Sequence, residues 1–271
     1  MIIDCFPYFN EKELLELRYN VLKDHVDYFF IADGNHTHKG QEKPFTCVET
    51  MKELGIPSDQ MQVFHVELPS AEQARDPWIR ERAQRDALSV PLGMMPPDTI
   101  FISSDCDEIT NPAAIPAIKE ACANEYEYVK VKRLSMSMFY GRADTQLVDP
   151  EGKPFNWVSP VVDTVQGLKE FGTLSELRAA QDNYVIGDMD AGWHFSWMGD
   201  NENRLLKLKT FAHQEFNIPQ VEQSVSAFEA KPGNTDMLGR PDHILAPYPT
   251  EKLPEEVFKI ERVRKYLLPD G

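Results

Sequence analysis

The chain has 271 residues, 42% of them hydrophobic and 27% charged, with a formal charge of −16. That is enough chain to bury a sizeable core, as one large α/β domain or two small ones. The negative balance excludes nucleic acid as a bulk partner, since phosphate binding needs a basic face, and it admits an anionic small substrate only where a metal or local arginines reverse the field.

Residues 2–8 read as a strand. Asn10 with Glu13 is close to a capping box, and Leu14, Leu17, Val21 and Leu22 recur at helical spacing, so an amphipathic helix is predicted over 11–24. Residues 26–32 are an apolar run broken only by Asp27, a second buried strand, followed by a polar loop holding Gly34 and Gly40. A helix over 45–54 stopped by Gly55 and a third strand over 61–68 complete the rhythm of a parallel sheet. Asp76-Pro77 supplies an N-cap and a proline at the first helical position, predicting a helix over 78–88. On it Glu81/Arg85 and Arg82/Asp86 are each four apart, the pattern of a solvated, ion-paired face.

Residues 99–102 are a short β-branched apolar run bounded by prolines, a buried strand. Asp105, Asp107 and Glu108 follow at once. Carboxylates so close repel one another unless something positive sits among them, and the carboxyl end of a strand is where open α/β sheets bind ligands. A hard divalent cation bridging to a phosphate answers the charge problem. An acidic pair without that position is more often a solvated turn.

Asn111-Pro112 starts a helix running to about residue 123. Strands are predicted over 126–134, with 136–140 extending or pairing with it, and over 157–165, with a short helix over 174–180. Residues 188–197 pack two tryptophans, a histidine and two aspartates into ten positions. A sugar or nucleotide site needs such a set, because rings stack on apolar faces while polar atoms fix orientation. His194 in an apolar strand is by itself more often a core residue than a ligand. A helix is predicted over 203–216 with His213 near its favourable end, then an irregular loop over 231–249. A charged terminal helix within 251–271 packs on the domain formed by residues 1–250. Cys5, Cys47, Cys106 and Cys122 lack metal-ligand spacing and read as reduced thiols. With no run of transmembrane length and no signal-like N-terminus, they point to a cytoplasmic chain without a membrane span.

Several motifs fall in one order. They are Asp4-Cys5-Phe6-Pro7-Tyr8-Phe9-Asn10-Glu11, Leu14-Leu15-Glu16-Leu17-Arg18, Thr37-His38-Lys39-Gly40 with Lys43-Pro44, and Trp78 with Glu81 and Gln84-Arg85. Ser104-Asp105-Cys106-Asp107-Glu108-Ile109, Gly192-Trp193-His194-Phe195-Ser196 and Lys209-Thr210-Phe211-Ala212-His213 follow. Over roughly residues 2–217 this series resembles glycosyltransferase family 17. Asp33 stands where the family pattern has glutamate, and Phe195 where animal members tend to carry cysteine.

The resemblance implies a single α/β domain of GT-A-like fold, a Rossmann-type mixed sheet flanked by helices. It implies a metal-dependent, inverting transfer of a sugar, N-acetylglucosamine from UDP-GlcNAc, to a glycan acceptor hydroxyl. Asp105-Cys106-Asp107 is then the DXD motif. Asp105, Asp107 and His194 are the expected ligands of Mn²⁺ or Mg²⁺, and Asp33, Lys43, Arg80, Arg85 and Asp105 the expected donor contacts. The metal stabilises charge developing on the leaving diphosphate, which arginine forks also reach. Inversion needs a carboxylate to take the acceptor proton, and Glu108, Asp163, Asp188 and Asp190 are the candidates. Trp157, Trp193 and Trp197 are candidate acceptor platforms. A haloacid-dehalogenase-like phosphatase also places Asp-x-Asp after an apolar strand, but on the first strand of its domain, whereas three strands precede it here. A non-catalytic sugar- or nucleotide-binding protein with a decayed site is opposed by the intact Asp105, Asp107 and Glu108.

Overall fold

Alternation of buried strands with one-sided helices builds the first half of the chain. The computed structural model describes residues 1–123 and 131–269. Strand β1 (Ile2–Tyr8) is buried almost throughout. Helix α1 (Lys12–Leu22) lays Leu14, Leu15, Leu17, Val21 and Leu22 on the core. The capping box expected from Asn10 and Glu13 does not form; Glu11 is the N-cap, and its carboxylate turns back to Phe9 and Asn10 N–H. There follow β2 (Tyr28–Gly34), α2 (Cys47–Leu54), β3 (Met61–Val66), α3 (Pro77–Asp86), α4 (Ser89–Gly93) and β4 (Ile100–Ser103). Gly55 at φ +66° ends α2, and the Asp76 carboxylate caps α3 by accepting from Trp78 N–H. Strands β3, β2, β1 and β4 lie side by side and parallel. Order reverses at β1, which opens a crevice beyond the carboxyl ends of β1 and β4.

The second half adds β5 (Glu108–Thr110), α5 (Ile115–Ala123), β6 (Val131–Leu134), β7 (Met136–Tyr140), β8 (Thr145–Val148), β9 (Asn156–Trp157) and β10 (Val161–Thr164). Next come α6 (Val165–Phe171), α7 (Leu174–Ala179), β11 (Asn183–Ile186), β12 (Gly192–Ser196), α8 (Asn201–Thr210), α9 (Pro219–Ala227) and β13 (Ile244–Pro247). Two single turns, α10 (Glu256–Lys259) and α11 (Glu261–Arg264), close the chain. Among the described residues the strands make two sheets. One runs β11-β6-β10-β4-β1-β2-β3, with β10 antiparallel to both neighbours; the other runs β13-β8-β7-β12-β5, with β9 on β7. The α/β class, a mixed sheet flanked by helices, is as expected. Among the described residues no helix is long and apolar enough to cross a membrane.

Several expectations are corrected. Of the strand expected over 126–134, residues 126–130 lie outside the described residues. Residues 136–140 neither extend nor pair with β6 but enter the second sheet: Ser135 N–H still bonds to Ile186 of β11, and from Met136 on the chain pairs with β9 and β12 instead. The run 157–165 is two strands in different sheets, parted at Pro160, whose ring has no N–H for a ladder. Helix α8 starts earlier, capped by Asp200, and stops at Thr210, so His213 sits beyond it and owes nothing to its dipole. The loop over 231–249 contains β13, and the terminal helix is broken by extended Ile260. Of the two ion pairs predicted on α3, Glu81–Arg85 forms at 2.5 Å but on the buried face with Arg80 and Gln84, while the exposed Arg82 turns to Asp76 at 3.7 Å and the Asp86 carboxylate accepts from Ser175 N–H.

One apolar cluster joins α1 and the near face of the first sheet to Phe139, Trp193 and Phe195 of the second, so the two sheets share a core. Strands β5 and β12 pair antiparallel with His194 opposite Glu108. That pairing needs Gly192, where an added Cβ would strike the Ile109 carbonyl and the Met136 side chain. Gly192→Ala is expected to cost about 1–3 kcal/mol, the usual range for overpacking, read as a lowered urea midpoint with unchanged slope.

Candidate active site

The loop between β4 and β5 carries the acidic triplet, and a buried arginine shapes it. Arg18, on the inward face of α1, is fully buried. Its Nε and Nη2 each donate to the Asp4 carboxylate at 2.6 Å. Nη1 donates to the carbonyls of Asp105 (2.7 Å) and Glu108 (2.9 Å), and Nη2 to Ser104 Oγ (2.6 Å). Every polar face of the guanidinium is thus used, and Phe6 covers its plane at 4.3 Å. The result is a fixed turn that aims Asp105 and Asp107 outward.

Side chains from distant elements answer the repulsion among the carboxylates. Asp105 accepts from Arg85 Nη2 (2.6 Å, α3) and Arg178 Nη2 (3.0 Å, α7). Burial alone would raise its carboxyl pKa, but the two guanidinium groups hold it well below the usual carboxylate range. Glu108 is wholly buried and accepts from Arg178 (2.9 Å), Trp157 Nε1 (2.6 Å) and its neighbour's N–H, that of Asp105 (2.6 Å). Asp107 accepts from Lys207 Nζ at 3.0 Å, with His194 Nε2 3.6 Å from its other oxygen. Against burial, Lys207 and His194 hold the Asp107 carboxyl well below its ordinary range, and Asp107 in turn raises Lys207. A backbone bond from Phe195 N–H to the Asp107 carbonyl (2.8 Å) ties β12 to this turn.

These groups open onto a cleft of about 520 Å³ at the carboxyl ends of the parallel strands. Arg85, Asp105, Asp107, His194, Trp157 and Trp197 line it, so these sequence candidates are brought together. Trp197 has φ +58°, a left-handed conformation rare for a bulky residue. It is held there by Arg204, which donates to its carbonyl (3.2 Å), and by Phe211 packed edge-on 5.4 Å from its ring. The Trp157 ring lies 4.5 Å from His194.

Other candidates are occupied elsewhere. The Asp33 carboxylate accepts from Thr46 N–H (2.7 Å), Cys47 N–H (2.8 Å) and Lys43 Nζ (3.0 Å), so Asp33 and Lys43 secure the start of α2. Arg80 is buried and donates to the carbonyls of His38 (2.5 Å) and Ala74 (2.6 Å), bracing the loop after β2. Asp163 sits in β10 beside Lys132 (3.3 Å) under Gly167. Asp190 accepts from Asp188 N–H in the exposed turn before β12. Trp193 is core, its Nε1 donating to the Lys252 carbonyl. Sequence reasoning passed over Arg178, Lys207, Glu11 and His38. Glu11 and His38 stood inside motifs already noticed, and Lys207 just before one; Arg178 had no local signal, being 70 residues from Glu108.

Among the described residues no three His, Cys, Asp or Glu side chains converge as a ready-made metal cage. Hard divalent ions that engage phosphates use only one or two protein ligands. Asp107 and His194, a carboxylate and an imidazole 3.6 Å apart on the cleft wall, fit that smaller set, and imidazole also suits Mn²⁺. Both oxygens of Asp105 are taken by arginines.

The family model described as glycosyltransferase family 17 matches residues 1–224. The chain is 23% identical over 236 residues to the β-1,4-mannosyl-glycoprotein 4-β-N-acetylglucosaminyltransferases of Mus musculus, Rattus norvegicus and Homo sapiens, covering 79% of this chain. It spans less than half the length of these relatives, 43% for mouse and rat and 44% for human. A mannose-6-phosphate isomerase from Helicobacter pylori superposes with a TM-score of 0.36 at 10% identity, over 63% of this chain and 73% of its own, a likeness too slight to carry an argument.

Arg18→Met leaves Asp4 buried and uncompensated, and is expected to cost about 3–5 kcal/mol. The double variant with Asp4→Leu recovers part of that loss, so a double-mutant cycle in urea measures the pair.

Proposed function

Because the chain belongs to glycosyltransferase family 17, we propose that it moves a sugar, N-acetylglucosamine from UDP-GlcNAc, to a glycan hydroxyl with inversion, on a GT-A-like scaffold with Asp105-Cys106-Asp107 as its DXD motif. The observation that carries this reading is the convergence of Arg85, Arg178 and Lys207 on Asp105 and Asp107 at the wall of the cleft. These cations offset the charge of Glu81, Asp105, Asp107 and Glu108, so that one bound divalent ion would turn the local field toward a diphosphate.

Each residue then has a task. Asp107 and His194 would hold Mn²⁺ or Mg²⁺. A divalent cation there supplies electrostatic stabilisation of the leaving diphosphate. Arg85 and Arg178 keep Asp105 ionised and in place, and Lys207 adds a positive charge beside Asp107. Trp157 and Trp197 offer flat apolar faces for the sugars. The acceptor proton needs a carboxylate that faces the cleft. Glu108 has its oxygens engaged by Arg178 and Trp157, whereas Glu11 lines the cleft with only Oε2 engaged. Burial pushes the Glu11 carboxyl up, which makes it the stronger base.

Calorimetry with UDP and UDP-GlcNAc, in Mn²⁺ and then in EDTA, tests the donor reading. Binding is expected to depend on metal, and Asp107→Ala to lose that dependence while circular dichroism stays unchanged. No binding of UDP-, GDP- or other nucleotide sugars under either condition would overturn it. Glu11→Gln is expected to lower kcat about 10²–10⁴-fold, the span of general base catalysis, with donor affinity unchanged.

A further inference from the structure

One histidine on the cleft wall has its hydrogen-bonding role dictated by its neighbours. The Gln84 amide nitrogen donates to two carbonyls, Tyr8 at the end of β1 (3.0 Å) and Ala32 in β2 (2.8 Å). Both its N–H groups are therefore spent, and Oε1 is the atom that meets His38 Nε2 at 3.0 Å. An amide oxygen only accepts, so His38 must donate from Nε2. The neutral ring then carries a bare lone pair on Nδ1. Burial lowers the His38 pKa, which favours that neutral form.

Nδ1 has no protein partner among the described residues and is not sealed from solvent, while His38 lines the cleft. The His38 backbone is also anchored, since Arg80 Nε donates to the His38 carbonyl at 2.5 Å. Gln84 ties the ring to β1 and β2, whereas Asp107 and His194 sit beyond β4 with Trp157 and Trp197. In a parallel sheet that reverses order at β1, a ligand straddles those strand ends. The diphosphate end belongs with Asp107 and His194, the proposed metal pair, which leaves the nucleoside for the β2 side.

We infer that His38 is a specificity residue for the donor: its Nδ1 accepts a hydrogen bond from the nucleoside, given either by the imide N–H of uracil or by a ribose hydroxyl. This rests on the nucleotide-sugar reading of the cleft. Asp33, bonded to Thr46, Cys47 and Lys43, is fully buried and does not line the cleft.

The test is calorimetric titration of the native chain, in Mn²⁺, with UDP, 3-methyl-UDP, 2′-deoxy-UDP and 3′-deoxy-UDP. One analogue is expected to bind about tenfold more weakly than UDP, the worth of one good hydrogen bond, and its identity names the donating group. His38→Phe, which keeps a flat ring without an acceptor, is expected to bind UDP and that analogue alike. A measurement on the native chain stands beside it: with ¹⁵N-labelled histidine, the unprotonated Nδ1 resonance of His38 shifts when UDP is added and stays put with the discriminating analogue. If UDP and all three analogues bind equally, or the resonance does not move although UDP binds, the role of His38 is overturned and the donor reading stands. If no nucleotide binds at all, the donor reading falls and takes this inference with it.

Discussion

The site depends on a buried ion pair that never touches the cleft. Arg18 and Asp4 are both shut away from water. Such a pair gains little over an apolar one of the same shape, because desolvation offsets most of the attraction. Its effect is geometric. With Asp4 held in β1, the guanidinium has donors left over for residues 104–108. A turn whose carbonyls are pinned from behind has one shape, and that shape turns Asp105 and Asp107 to the same cleft. An apolar residue at position 18 would strip those carbonyls of their charged donor, leaving Asp105 with only the Glu108 N–H and Glu108 with only the Ser104 hydroxyl.

The turn would still be unstable if its carboxylates faced only one another. Arg85 comes from a helix whose inward face is polar, Arg178 from a short capped helix in the second half, and Lys207 from a helix packed on the second sheet. Each is drawn in by a carboxylate and keeps it ionised in return, so the cluster is mutually supporting. The arrangement is also asymmetric. Asp105 and Glu108 are enclosed by guanidinium groups, while Asp107 meets a flexible ammonium and an imidazole, groups more easily displaced. Asp107 is thus the member of the triplet with room for a ligand.

The second sheet makes the cleft two-sided. Strand β12 lies against β5, so His194 stands beside the acidic turn, and β9 brings Trp157 over it. The strained backbone at Trp197 belongs to the same wall. Strain at a bulky residue persists only where the surroundings insist on it, and here Arg204 and Phe211 do. On the opposite wall, His38 and Gln84 form a rigid polar unit tied to the carboxyl ends of β1 and β2.

What the sequence determined by itself was local. Strands β1 to β4 and their helices announce themselves by apolar runs, proline and glycine punctuation and helical spacing, because those signals act within a few residues. The placing of Asp105 and Asp107 after β4 was legible for the same reason, and the motif series was enough to indicate the family. What only the tertiary structure decided was pairing across distance. Periodicity says that position 163 is buried, but not that it faces Lys132 away from the cleft. It marks Arg80 and Arg85 alike as helical cations, yet one binds backbone carbonyls and the other binds Asp105. It offers nothing to join Arg178 to Glu108 or Gln84 to His38. A charge finds its partner by proximity in space, and proximity between residues seventy apart is set by how sheets and helices pack, which no short stretch of sequence encodes.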